Sequence, residues 1–361
     1  MQRMMNHFIG TAIRKLLPAS LLLAGLLLTG CKTTQPTTDF TFYPPAPDEP
    51  RIQFLTSFSS ESELGEPSKF KKFVLGGQRI QRPILKPYGI ASSKGKIYIC
   101  DTQPKNVGTV DLQNKSIRFL KPTGNQAMHF PLNIAVDEAE NRYVTDTLRG
   151  QVLIYDKAGS LKATIGAGRT MKPCGIALSK DRIFVTDLSN HCVRVYNKAT
   201  RAELFQVPRD PKEEKAQLKS PTNIALDAQG RMYVSDTGGF AVQVYDAEGK
   251  HLRAIGEMGI EPGRFALPKG VAVSPQGIVY VVDAAATVAQ MFDAEGRLLM
   301  FFGQADTAGS LYLPAGIAID SENMGSFEQF VAPGYKIDHL IYISNQAGGK
   351  KICVYGFLKK K

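Results

Sequence analysis

From residue 87 onward the chain repeats one arrangement of apolar and polar positions. A Pro opens a short apolar run six times, at Pro87, Pro131, Pro173, Pro221, Pro268 and Pro314, at intervals of 42 to 48 residues. The openings read Pro87-Tyr88-Gly89-Ile90-Ala91, Pro173-Cys174-Gly175-Ile176-Ala177 and Pro314-Ala315-Gly316-Ile317-Ala318. Next comes an aromatic-led run that closes on an acid, as in Tyr143-Val144-Thr145-Asp146 and Tyr233-Val234-Ser235-Asp236. A third run alternates in period two, as in Val242-Gln243-Val244-Tyr245, and a weaker fourth follows, as in Leu252-Arg253-Ala254-Ile255. Period-two alternation predicts strands packed between neighbouring sheets, and four short strands per repeat predict the blades of a β-propeller. The last copy stops after its third strand, Lys351 to Phe357, while a lone strand-like segment, Arg51 to Phe58, precedes the first copy. Placing that segment as the missing fourth strand leaves no open sheet edge between first and last blades. The expectation is an all-β, six-bladed propeller of four-stranded antiparallel blades over residues 51–357, closed by its N-terminal strand.

The stretch Ile255-Gly256 through Gly259, Pro262-Gly263, Phe265 and Pro268-Lys269-Gly270-Val271-Ala272-Val273 resembles the NHL repeat. The resemblance implies the same propeller fold. It implies no single activity, because that family contains both binding modules and enzymes.

The N-terminus has a different pattern. A basic stretch, Met1 to Lys15, leads into an apolar run from Leu16 to Leu28, too short to span a bilayer comfortably and flanked like a secretory signal. It ends in Leu28-Thr29-Gly30-Cys31, which resembles the lipobox of bacterial lipoproteins. The resemblance implies a signal peptide at 1–30, acylation of Cys31 and a membrane anchor of several acyl chains. Lys32 stands where an Asp would resemble an inner-membrane retention signal, so the expected site is the outer membrane in a cell that has one. Residues 31–50, rich in Thr and Pro, are expected to be an extended tether, and residues 358–361 a basic tail.

Composition adds little to the fold but bears on partners. The 361 residues are 43% hydrophobic and contain no Trp, and the formal net charge is +11. Arg3, Arg14 and Lys15 belong to the acid-free leader, so the excess on the exported part is dilute and does not call for nucleic acid. In a propeller the loops joining fourth to first strands and second to third strands share one face, here called the top. Lys71, Lys72, Lys172 and Lys269 fall there by register, giving a basic rim suited to an acidic protein surface. The expected function is a membrane-anchored, non-catalytic scaffold of the cell envelope that binds an exported partner through this face and needs no cofactor. Similar lipoproteins accompany envelope-assembly systems or multihaem cytochromes, which suggests the class of partner.

A rival reading places an enzyme in the central channel. Asn133 and Asn223 replace the Gly that follows Pro-x in the other copies, at the top of channel-lining strands. Amides at such places could join a Ca²⁺ site, or simply bond one another or water. His191, with His129, falls in top-face loops, and peptidyl-amidoglycolate lyases, which this repeat class resembles, hold zinc by several His. No third His shares a compatible register, and surface histidines are the alternative. The acids Asp101, Asp146, Asp187, Asp236 and Asp283 recur in nearly every copy and are expected to fix turns through backbone N–H groups. Cys100, Cys174, Cys192 and Cys353 are expected as buried free thiols.

Overall fold

The computed structural model describes residues 40–65, 81–166, 168–210 and 212–361. Six antiparallel sheets form blades 1 to 6, opening at Pro87, Pro131, Pro173, Pro221, Pro268 and Pro314. Helix is confined to five 3₁₀ turns of three residues each among the described residues. The first strands touch one another around the axis, and that of blade 6 (Pro314–Asp320) meets that of blade 1 (Pro87–Ser93), so the ring is closed.

Closure follows the expected route. Blade 6 takes its fourth strand, Ile52–Phe58, from the N-terminal side, paired antiparallel to the C-terminal strand Ile352–Lys360 with Phe58 opposite Ile352. The ordered fold starts earlier than the composition indicates. Within the stretch assigned to the tether, Thr41–Tyr43 adds a fifth strand outside Ile52–Phe58, and Tyr43 is buried. Its ring packs against Phe302 and Tyr355 and its hydroxyl bonds that of Thr307 at 2.7 Å, which holds a short segment whose neighbours on the C-terminal side are prolines. At the other end, Lys359 and Lys360 of the basic tail continue the sheet opposite Lys336 and Tyr335, and they pair with Asp338 and Glu49.

The core is divided. Six apolar clusters fill the six gaps between successive blades, and a seventh small one lies in the channel. Each top loop from fourth to first strand drops one apolar side chain into its gap: Ile84, Met128, Met171, Leu218, Phe265 and Leu311. Five of these sit three residues before the opening Pro, Met171 two. The four cysteines past the leader are buried free thiols.

Candidate functional site: the channel and the top face

The recurrent acids fasten the top of every blade. Asp101 accepts the N–H groups of Leu85 and Lys86, Asp146 those of His129 and Phe130, Asp236 those of Lys219 and Ser220, and Asp283 those of Ala266 and Leu267. Asp187 holds Lys172 N–H, and Asn345 takes the place of the acid in blade 6, accepting from Tyr312 N–H. The residue after each acid or amide donates its N–H back to the carbonyl just before the Pro, as Thr102 does to Lys86 and Thr147 to Phe130. The Pro follows these donors and has no N–H of its own to satisfy, which is the physical reason it recurs there. Carboxylates engaged in this way are scaffold, and they clamp the incoming loop as well as their own turn.

The first strands bulge directly after the Pro in every blade, and the next residues line the channel. Tyr88, Leu132, Cys174 and Ala315 form an apolar layer at its mouth. Below it come Gly89, Asn133, Gly175, Asn223, Gly270 and Gly316. Here the axis is too narrow for six side chains: a Cβ on Gly316 would stand 2.2 Å from the Tyr88 carbonyl oxygen, and one on Gly89 2.5 Å from Asn133. The two asparagines occupy room that the glycines leave. Asn133 Nδ2 donates to Asn223 Oδ1 at 2.6 Å, and Asn133 Oδ1 accepts from the Ile134 N–H at 2.9 Å. Asn223 Nδ2 is buried without a partner beside a polar-walled cavity of about 60 Å³, lined by both asparagines, Gly270, Gly316 and the residues that follow them on the first strands.

As placed, the two asparagines offer a divalent cation few ligands. Both amide oxygens already accept hydrogen bonds, and the group left over is an N–H donor. The Lys269 ammonium lies 5.3 Å from the Tyr88 ring centroid in the same mouth. Lys269, placed by register on the rim, is thus half-buried in the channel entrance, where burial and the nearby Lys86 push its pKa down. Burial also pushes up the Tyr88 phenol, and takes the Cys174 thiol to about 12. His191 does not join the asparagines: it is exposed in the second-to-third turn of blade 3, with Nδ1 2.6 Å from the Lys219 carbonyl. His129 is exposed as well. His339, on the second strand of blade 6, is fully buried between Tyr280 and Asp338, at 2.7 and 3.0 Å. Among the described residues no three His, Cys, Asp or Glu side chains converge as metal ligands.

On the open top face the charges are unevenly spread. Over blades 6, 1, 2 and 3 the accessible charged side chains among the described residues include Lys86, Lys105, Lys121, Arg149, Arg169, Lys172, Lys350 and Lys351, against Glu63 and Asp306. The loops entering blades 4 and 5 mix both signs, as in Arg209, Asp210, Lys212, Glu213, Glu214 and Lys215. Leu85, Leu148, Tyr312 and Leu313 are exposed within the basic sector. Arg149 is already committed to the carbonyls of Asn125 and Ala127, whereas Lys172 stands free at the mouth. Lys71, Lys72 and Cys31 lie outside the described residues.

No family model and no curated protein matches the chain. Solved structures do. A gluconolactonase from Xanthomonas campestris superposes with a TM-score of 0.57 at 15% identity, covering 90% of this chain and 99% of the other. A structural-genomics protein of unknown function from Bacteroides thetaiotaomicron gives 0.59 at 16%, over 86% and 76%. Virginiamycin B lyase from Staphylococcus aureus gives 0.51 at 13%, over 76% and 96%. At this level of identity the likeness concerns the fold: the chain shares the β-propeller architecture of these proteins, two of them enzymes.

Proposed function

We propose that the propeller is a non-catalytic interaction module of the bacterial cell envelope, related to NHL-type propellers, anchored through an acylated Cys31 and docking an exported protein by its top face. The observation that supports this most is the sector over blades 6, 1, 2 and 3, where exposed Leu85, Tyr312 and Leu313 stand among cations with few acids. Apolar anchors ringed by charge of one sign suit a partner with an acidic rim and an apolar centre. The blades hold these loops in fixed positions, so docking orders little chain.

Photocrosslinkers placed at Tyr312 and Lys172 in intact cells test it, with Lys336 on the opposite face as control. Adducts to one exported protein from the first two positions and none from Lys336 are expected, and Lys172→Glu with Lys269→Glu should remove those of the Tyr312 probe. Equal adducts from both faces, or adducts that survive charge reversal, would refute the placement. A stoichiometric metal in the purified protein, lost on substituting Asn133 and Asn223, would favour a Ca²⁺- or Zn²⁺-dependent lyase or hydrolase in the channel instead.

A further inference from the structure

The ring carries a second cavity, of about 410 Å³, in the groove between blades 1 and 2. Lys96 and Arg142, which begin the second strands of these blades, face it with Arg118 from the outer strand of blade 1 and Lys157 from a bottom turn of blade 2. It therefore opens away from the top face.

Its charges do not cancel. The buried carboxylate of Glu140 takes both ammonium groups, those of Lys157 and Lys96, and these hydrogen bonds bring its pKa down to about 2. Asp111 also lines the cavity, but it turns Oδ1 to the Asn114 N–H at 2.8 Å and Oδ2 to Asn114 Nδ2 at 2.9 Å. Two guanidinium groups are left without an acid. Arg118 makes no ion pair or side-chain hydrogen bond among the described residues. Arg142 donates Nη2 to the Lys157 carbonyl at 3.2 Å and lies over the Tyr98 ring at 5.6 Å, while its Nε is buried with no acceptor. A buried N–H without a partner is costly, and a guanidinium fork matches the oxygens of a phosphate group. Four cations against two carboxylates leave two positive charges, which suits a dianion better than a single carboxylate.

We propose that this inter-blade cleft binds a phosphate-type oxyanion, with Arg118 and Arg142 as its principal donors. The source is either a soluble phosphorylated compound or a lipid headgroup, and the test separates them. The full chain carrying Cys31→Ser, so that no acyl anchor at that position contributes, is titrated with inorganic pyrophosphate and with vesicles containing phosphatidic acid, whose headgroup is a phosphomonoester. Saturable binding is expected, weakened about tenfold or more by Arg118→Ala and by Arg142→Ala. Arg118 is exposed, so its truncation leaves the fold intact, which the circular dichroism melt verifies. Pyrophosphate binding lost in both variants assigns a soluble phosphate compound. Vesicle binding lost in both, with pyrophosphate inert, assigns a headgroup. Absence of binding to either probe, or binding that either variant retains at full affinity, overturns the proposal.

Discussion

Truncating the closing strand at Phe58 tests whether the ring stands or falls as a unit. Phe58 is 2% exposed and packs in the gap between blades 6 and 1 with Leu55, Ile90, Ile97 and Ile352. Phe58→Ala leaves the backbone ladder to Ile352 in place and removes only the ring, so the cost is lost burial plus an unfilled cavity, about 3–5 kcal/mol. At a urea slope of about 3 kcal/mol per M the denaturation midpoint should fall by roughly 1–1.7 M, followed by far-ultraviolet circular dichroism because the chain has no Trp. The slope itself should not change, since the ring unfolds as one cooperative body. Phe301→Ala serves as control: Phe301 is 36% exposed on an outer strand, and its loss should cost under about 1 kcal/mol. A Phe58→Ala cost below about 1 kcal/mol, or a shallower slope in which blade 6 releases while five blades persist, would refute the view that closure couples the blades.

Gly316→Ala puts a Cβ against the Tyr88 carbonyl, a backbone atom with no room to yield, and should destabilise by about 2–3 kcal/mol in thermal denaturation; Gly325→Ala, which meets open space, should lie within about 0.5 kcal/mol of the parent. A similar effect from both would show that the axis is looser than it looks. Burial depresses the His339 pKa, so the unfolded state binds the proton more readily. His339 therefore adds a component of stability that is fully present above pH about 6.5 and is lost as the pH falls below it. His339→Gln should flatten the decline of denaturation midpoint between pH 7 and 5, and parallel declines in parent and variant would contradict this.

Blade number and closure were legible because each copy repeats the same Pro-led opening, and four short strands within each period separate a propeller from helical repeats of similar length. The turn role of the recurrent acids was legible too, but not their hold on the preceding loop. That contact joins Asp101 to Leu85 and Lys86 across the blade opening, a distance that local turn chemistry does not address. The six apolar residues from Ile84 to Leu311 recur two or three residues before each Pro but sit in loops, where burial is not expected. Thr41–Tyr43 escaped because its three β-forming residues are too short a run to stand out beside a Thr- and Pro-rich stretch; the pairing with Ile52–Phe58 and the contacts of Tyr43 fix it. Lys269 and His191 show the limit of register. It gives the height of a residue along the axis, while exposure depends on whether the side chain turns inward over Tyr88 or outward from a turn.

The division of the apolar interior into separate wedges has a consequence for how such a molecule can change. Each wedge is sealed by residues of its own two walls, so a new side chain in one is accommodated by partners in that one and places no demand on a wedge across the ring. Only around the axis do all six walls meet, and there the spacing admits two amides and four glycines and no more. Recognition surfaces built on the loops can therefore be rewritten sector by sector, provided the hub keeps its dimensions.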